Sequence, residues 1–287
     1  MGLKGQSQVV GRMAGVPLAH KSGGGAIGVF DSGIGGLTVV RELLRIMPQE
    51  PVVYLGDTAR VPYGNKSRET VLKFSTENVL FLLQHDVKLI VIACHTASSF
   101  ALPFLEKHFN TPILGVIEPG VAMALQATRS GRIGVIGTQA TIGSQAYPKA
   151  VARQGFKVRM TQAACPLFVP LVEEGLFNDS LTLEAASRYL KPLREARVDT
   201  LILGCTHYPL LKQVIGRVMG PQVVLIDSAR QVALKAKEAL SALKLYAPAG
   251  HNGRPPSRQF FVTDEPRHFE KLSLRFLGTR VGDVRKV

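Results

Sequence analysis

Two stretches of this chain occur twice. "IGVFDSG" at 27–33 aligns with "IGVIGTQ" at 133–139, and "VKLIVIACHTAS" at 87–98 aligns with "VDTLILGCTHYP" at 198–209. Each is an apolar run of strand length that stops on small or polar residues, and a helical pattern follows. From Ala26 to about Leu245 such runs alternate with amphipathic segments: "AIGVF", "LTVVRELLRIM", "VVYLG" and "KLIVIA" first, then "RIGVIG", "LTLEAASRYLKPLREARV", "DTLILG" and "QVVLIDSA". Continuous apolar strands set between helices imply a mainly parallel sheet covered on both faces. The repetition therefore predicts an α/β fold of two pseudo-symmetric domains. We expect a flexible N-terminal extension over 1–25, a first α/β domain over 26–118, a second over 119–228, and a C-terminal segment over 229–287 that returns to the first domain.

If the halves are equivalent, Cys94 and Cys205 occupy matching strand ends, where ligand chemistry collects in parallel sheets. They then face each other across an interdomain cleft. A strand end feeding a helix lies near unpaired N–H groups and the positive end of the helix dipole, an environment expected to lower a thiol's pKa. One such thiol suggests covalent catalysis. Two opposed thiols suit a reaction that takes a proton off one face of a carbon and returns one to the other. Such a pair needs neither metal nor cofactor, and no Cys-x-x-Cys or His-Glu-x-x-His spacing is present. Cys94 and His95 are adjacent, so at an extended strand end their side chains diverge, which argues against a nucleophile–base dyad.

Composition narrows the classes. The 287 residues carry a formal net charge of +14, which would favour nucleic acid, an anionic surface or an acidic small substrate. The basic residues are scattered rather than clustered, so nucleic acid, or a nucleic-acid enzyme, is expected only as a secondary partner. No apolar run reaches membrane-spanning length, because "VLFLLQHDVKLIVIA" is interrupted by His85, Asp86 and Lys88. Three cysteines, an odd number set in or beside apolar sequence, point to free thiols in a reducing cytoplasm.

The remaining motifs suit a small acidic substrate. "FDSGIGGLTVV" ends a strand on Asp31 and Ser32 and passes through Gly33, Gly35 and Gly36 into a helix, where backbone N–H groups could approach an anion. It is neither a dinucleotide fingerprint nor a P-loop. "DTARVPYGNKS" combines a Pro-Tyr-Gly turn with polar donors, and "GTQATIGSQAY" offers Thr138, Thr141 and Ser144 as hydroxyl donors. Thr206 and His207 follow the second thiol.

Taken together, "VFDSGIGGLTV", "YLGDTARVPYGNKS", "IACHTAS", "GVIGTQATIGSQAY", "ACPLFVPLVEEG" and "GCTHYPLL" resemble the glutamate racemases, cofactor-independent enzymes that supply D-glutamate for peptidoglycan. The resemblance spans roughly residues 26–245. It implies an active site between two α/β domains, with Cys94 handling the D-glutamate proton and Cys205 the L-glutamate proton. Asp31 and His207 would assist the thiols, and Glu173 would tune them. Substrate contacts would come from Asp31, Ser32, Tyr63, Gly64, His95, Thr96, Thr138, Thr141, Thr206 and His207. Cys165 would be structural, no metal or cofactor would be needed, and a homodimer is expected. One position departs from the pattern: the family has Cys-Asn-Thr where this chain has Cys94-His95-Thr96. Three other readings stand beside this one. They are a racemase of aspartate or another small acid, a thiol hydrolase using one cysteine with His207 as base, and a non-catalytic binding protein.

Overall fold

The computed structural model describes residues 25–247 and 256–287. The extension expected over 1–25 lies, but for Gly25, outside the described residues. In chain order, β1 (Ala26–Asp31), α1 (Leu37–Ile46), β2 (Val52–Gly56), α2 (Arg68–Leu83), β3 (Val87–Ile92), α3 (His95–Phe100), α4 (Leu102–His108) and β4 (Ile113–Gly115) come first. They are followed by α5 (Ile117–Ala127), β5 (Arg132–Gly137), α6 (Gln139–Gly143), α7 (Ala146–Arg153), β6 (Arg159–Ala164), α8 (Phe168–Glu173), α9 (Ser180–Glu195) and β7 (Thr200–Gly204). The chain then runs through α10 (Lys212–Met219), β8 (Val224–Ile226), α11 (Ser228–Ala242), β9 (Arg258–Val262), α12 (Pro266–Leu277) and β10 (Val284–Lys286). Among the described residues no helix is long and apolar enough to cross a membrane.

The strands form two all-parallel sheets, in the orders β10-β9-β2-β1-β3-β4 and β6-β5-β7-β8. Positions β2-β1-β3-β4 and β6-β5-β7-β8 correspond one for one, so the internal similarity seen in the sequence is a similarity of topology. β1 matches β5, and β3 matches β7. The first sheet is extended by β9 and β10 from the C-terminal segment.

Burial follows from the sequence pattern. β1 and β3 are buried at every position, as strands covered on both faces must be. The helix α1 turns Leu37, Val39, Val40 and Leu43 inward, each worth about 2 kcal/mol in burial, and leaves Glu42 and Arg45 to pair on its outer side. That apolar face meets α11, whose Val232, Ala233, Ala236 and Leu240 belong to the same core cluster. α11 also packs on α5, so the two lobes share a core rather than meeting only at a linker. Lys88, the charge that interrupts the apolar run of β3, is wholly buried and pairs with Glu50 at 2.6 Å. Glu50 in turn accepts the Ala247 amide at 2.6 Å, which ties down the chain after α11 at the end of the sheet opposite the thiols.

Candidate active site

Cys94 follows β3 and Cys205 follows β7, and both open onto one cleft between the lobes. Ser32, Pro62, Tyr63, Gly64, His95, Thr96, Thr138, Val169, Gly204, Thr206 and His207 complete its lining. The space accessible to water between these side chains is about 30 Å³, room for a water or two. Of the residues expected to touch substrate, Asp31 and Thr141 are fully buried and stand behind this lining; Glu173, expected to tune the thiols, is also outside it and partly exposed.

Several contacts cross the cleft. Thr96 Oγ1 lies 3.0 Å from Thr138 Oγ1 and 2.9 Å from Thr141 Oγ1, and Thr138 donates to Thr141 at 2.9 Å, making a closed trio of hydroxyls. Thr206 donates to Asp31 Oδ1 at 3.4 Å. The glycine loop also serves the packing of the lobes. Gly33 N–H is taken by Asp31 Oδ2 at 3.0 Å, and Gly35 gives way to the opposite lobe. A Cβ on Gly35 would stand 2.2 Å from Thr206 Oγ1 and 2.6 Å from His207 Nδ1. Gly64 plays the same part toward Thr138, whose Cβ would lie 2.6 Å from an added methyl. Both glycines are needed because backbone from one lobe meets side chains of the other at van der Waals range.

The two thiols have unlike surroundings. Burial pushes the Cys94 thiol up to about 12, and the carboxylate of Asp31 adds to the rise. Ala97 N–H at 3.4 Å and Ser32 Oγ at 3.6 Å pull the other way without prevailing. The expectation that a strand end lowers the thiol's pKa is therefore corrected at Cys94: desolvation outweighs one long N–H contact. Asp31 itself is raised by burial, against the pull of His207. At the other thiol, His207 places Nδ1 3.9 Å from Cys205 Sγ and Nε2 2.9 Å from Glu173 Oε1. Burial opposes its charged form, but the hydrogen bonds to Cys205 and Glu173 win and lift its pKa to about 10. Phe276 of α12 packs edge-on against the imidazole at 5.2 Å and holds the ring in place. Cys165 is buried away from the cleft and raised by desolvation.

The Asp/Glu/Hydantoin racemase family model matches residues 27–236. The chain belongs to this racemase family. It is 51% identical to the glutamate racemase of Geobacter metallireducens over 91% of this chain and 96% of that one. The crystal structure of the RacE1 glutamate racemase isoform from Bacillus anthracis superposes with a TM-score of 0.87 at 38% identity, covering 92% of this chain and 98% of the other. That of glutamate racemase from Francisella tularensis, in complex with D-glutamate, gives 0.85 at 38% identity, covering 92% and 97%.

Within this racemase the sequence brings together more than it could assign. Cys94, Cys205, Asp31, His207 and Glu173 converge on one cleft, as do Ser32, Thr96, Thr138 and Thr206. Tyr63 is there too, but its hydroxyl is committed to Asp57, with which it makes a short hydrogen bond, and it accepts from Asn78 Nδ2 at 3.1 Å. Asp57, fully buried, also receives Arg60 Nε at 2.8 Å and Thr263 Oγ1 at 3.0 Å, so the turn bearing Tyr63 and Gly64 is braced by the C-terminal segment. Sequence reading missed Asp57, Val169 and Tyr147. All three lie inside the motifs given above, but only Asp57, just past the end of β2, also had a position that could have singled it out. His95 opens α3, and its Nδ1 lies 2.7 Å from the Tyr147 hydroxyl instead of turning to Cys94. Burial lowers its pKa to about 4, so the ring is neutral near pH 7.

Proposed function

We propose that this racemase interconverts L- and D-glutamate by two-thiol proton transfer at the α-carbon. The observation that carries the reading is the pair of cysteines at matching ends of β3 and β7, both lining one small cleft, with a cation on one and an anion beside the other. In the L-to-D direction the Cys205 thiolate, next to the His207 imidazolium, removes the α-proton. The Cys94 thiol, kept protonated by burial and by Asp31, delivers its proton to the opposite face. The products are D-glutamate, a Cys205 thiol and a Cys94 thiolate, and the reverse reaction exchanges the roles. Glu173 holds the imidazolium, Asp31 and Thr206 join the lobes, and the hydroxyl trio with the Tyr63–Gly64 turn forms the substrate's polar wall. The Thr96 contacts to Thr138 and Thr141 cross the cleft between the two thiols, where hydroxyls can hydrogen-bond a polar substrate. Glutamate, rather than aspartate, is the substrate named for relatives across nearly the whole chain at up to 51% identity. The product would serve as the D-glutamate of peptidoglycan.

The test is incubation of L- or D-glutamate, then aspartate, in deuterated water without added cofactor. Loss of optical activity with deuterium entering at the α-carbon of the product is expected for glutamate. No exchange with any small acidic amino acid would overturn the reading. The Cys205–His207–Glu173 chain also has the order of nucleophile, base and orienting carboxylate that a thiol hydrolase uses. That second reading predicts a hydrolytic activity that survives loss of Cys94.

A further inference from the structure

The histidine that follows the first thiol is wired to the opposite lobe. His95 belongs to the first turn after β3 and Tyr147 to α7 of the second lobe, yet Nδ1 and the phenol oxygen are 2.7 Å apart, with the rings nearly parallel at 23°. Tyr147 is fully buried, and its hydroxyl has no other hydrogen-bond partner among the described residues. Its ring also lies beneath the residue that precedes the second thiol: a Cβ on Gly204 would stand 3.3 Å from both the phenol oxygen and Cε2. One side chain therefore touches the loops of both cysteines.

The direction of the hydrogen bond follows from the partner count. A buried phenol that merely accepted from Nδ1–H would leave its own hydrogen unpaired, a cost of about 1–3 kcal/mol, whereas donation leaves only a spare lone pair. Burial raises the phenol's pKa, so the hydrogen stays on it, and burial keeps the imidazole neutral. Nδ1 is then an acceptor and the remaining ring hydrogen sits on Nε2, which makes no hydrogen bond to the described residues of a side chain that lines the cleft.

We infer that Tyr147 is a positioning residue that fixes His95 as the Nε2–H tautomer, so that where an amide would present a donor and an acceptor this racemase presents a single donor, matched to a carboxylate oxygen of the substrate. An ammonium group finds no acceptor there and is left to the Asp31 side of the cleft. This deepens the proposed racemase function and depends on it only in the kinetic arm of the test.

The structural arm is long-range proton–nitrogen correlation NMR on protein labelled with 15N-histidine, with the His95 signals identified by their loss in His95→Asn. A neutral ring with its hydrogen on Nε2 is expected across pH 6 to 8. A hydrogen on Nδ1, or a doubly protonated ring, would overturn the inference whether or not the protein racemises glutamate. The kinetic arm is a double-mutant cycle of Tyr147→Phe and His95→Asn on the Michaelis constant for glutamate. Tyr147→Phe should raise it about fivefold in the His95 protein, the worth of one neutral hydrogen bond, and change it little in the His95→Asn background. Equal effects in both backgrounds would mean that Tyr147 acts through packing alone and would refute the assignment.

Discussion

Cys94 and Cys205 end equivalent strands in sheets of the same order, and each is followed within two residues by a histidine, but the two neighbourhoods carry opposite charge. Beside Cys94 stand a buried carboxylate, Asp31, and a neutral imidazole, His95, bonded away to Tyr147. Beside Cys205 stands His207, protonated to about pH 10 and backed by Glu173. One residue of spacing makes the difference. His95 directly follows its cysteine and is swept into the first turn of α3, whereas Thr206 intervenes before His207 and lets that ring fold back to within 3.9 Å of the sulfur. A pseudo-symmetric scaffold thus sets one thiol, raised by burial and a carboxylate, opposite another that faces a cation, the asymmetry the proposed proton transfer between two faces would use.

The largest effects should come from the cysteines themselves. Cys94→Ser and Cys205→Ser are each expected to lower racemisation by about 10³-fold or more, while each keeps α-proton exchange on the single enantiomer whose face the remaining thiol serves. Retention of more than about a tenth of the rate by either variant would break the comparison. Next is the cation: His207→Gln should cost about 10²-fold in kcat, and Glu173→Gln, which removes a half-exposed partner, about tenfold, with the alkaline limb of the rate profile moving to lower pH. The sign follows from the raised pKa, since a weaker acceptor at Nε2 lets the imidazolium lose its proton earlier. An unmoved alkaline limb in Glu173→Gln would show that the carboxylate does not sustain the charge.

The smallest effect concerns stability and separates the two histidines directly. His95 is held near a pKa of about 4 by burial, with Asp227 opposing, against 6.5 in the unfolded chain. The unfolded state therefore gains protons first as pH falls, and about 2 kcal/mol of stability should be gone by pH 5. Thermal unfolding of His95→Asn should show a flatter decline between pH 6.5 and pH 4. His207 has the reverse sign. Its raised pKa contributes stability that is complete below 6.5 and is lost as pH rises toward about 10, so His207→Gln should flatten the alkaline side instead. Matching slopes in the two variants would mean that the two imidazoles are alike after all.

Much of this was legible in the sequence for a definite reason. Parallel strands buried on both faces must be apolar throughout, so β1, β3, β5 and β7 announce themselves, and their polar terminations mark the cleft. Asp31, Cys94, Cys205 and His207 stand at or just past those terminations. The Asp57 network, the hydroxyl trio of Thr96, Thr138 and Thr141, and the Tyr147 bridge were not legible as contacts. Each depends on pairs such as Thr96 with Thr141 or Asp57 with Thr263, which lie 45 and 206 residues apart and meet only through packing. The glycine loop shows the same boundary. Its composition called for close approach, but only the assembled lobes reveal that Thr206 and His207 are what approaches Gly35.

By itself the sequence determined two parallel α/β units, the placing of one thiol at the same strand end in each, and the family. The tertiary structure decided which thiol is held protonated and which faces a cation. Local sequence sets backbone pattern and reach, whereas the charge state of a buried group depends on how much water is excluded and on which distant charges are brought within a few ångströms of it.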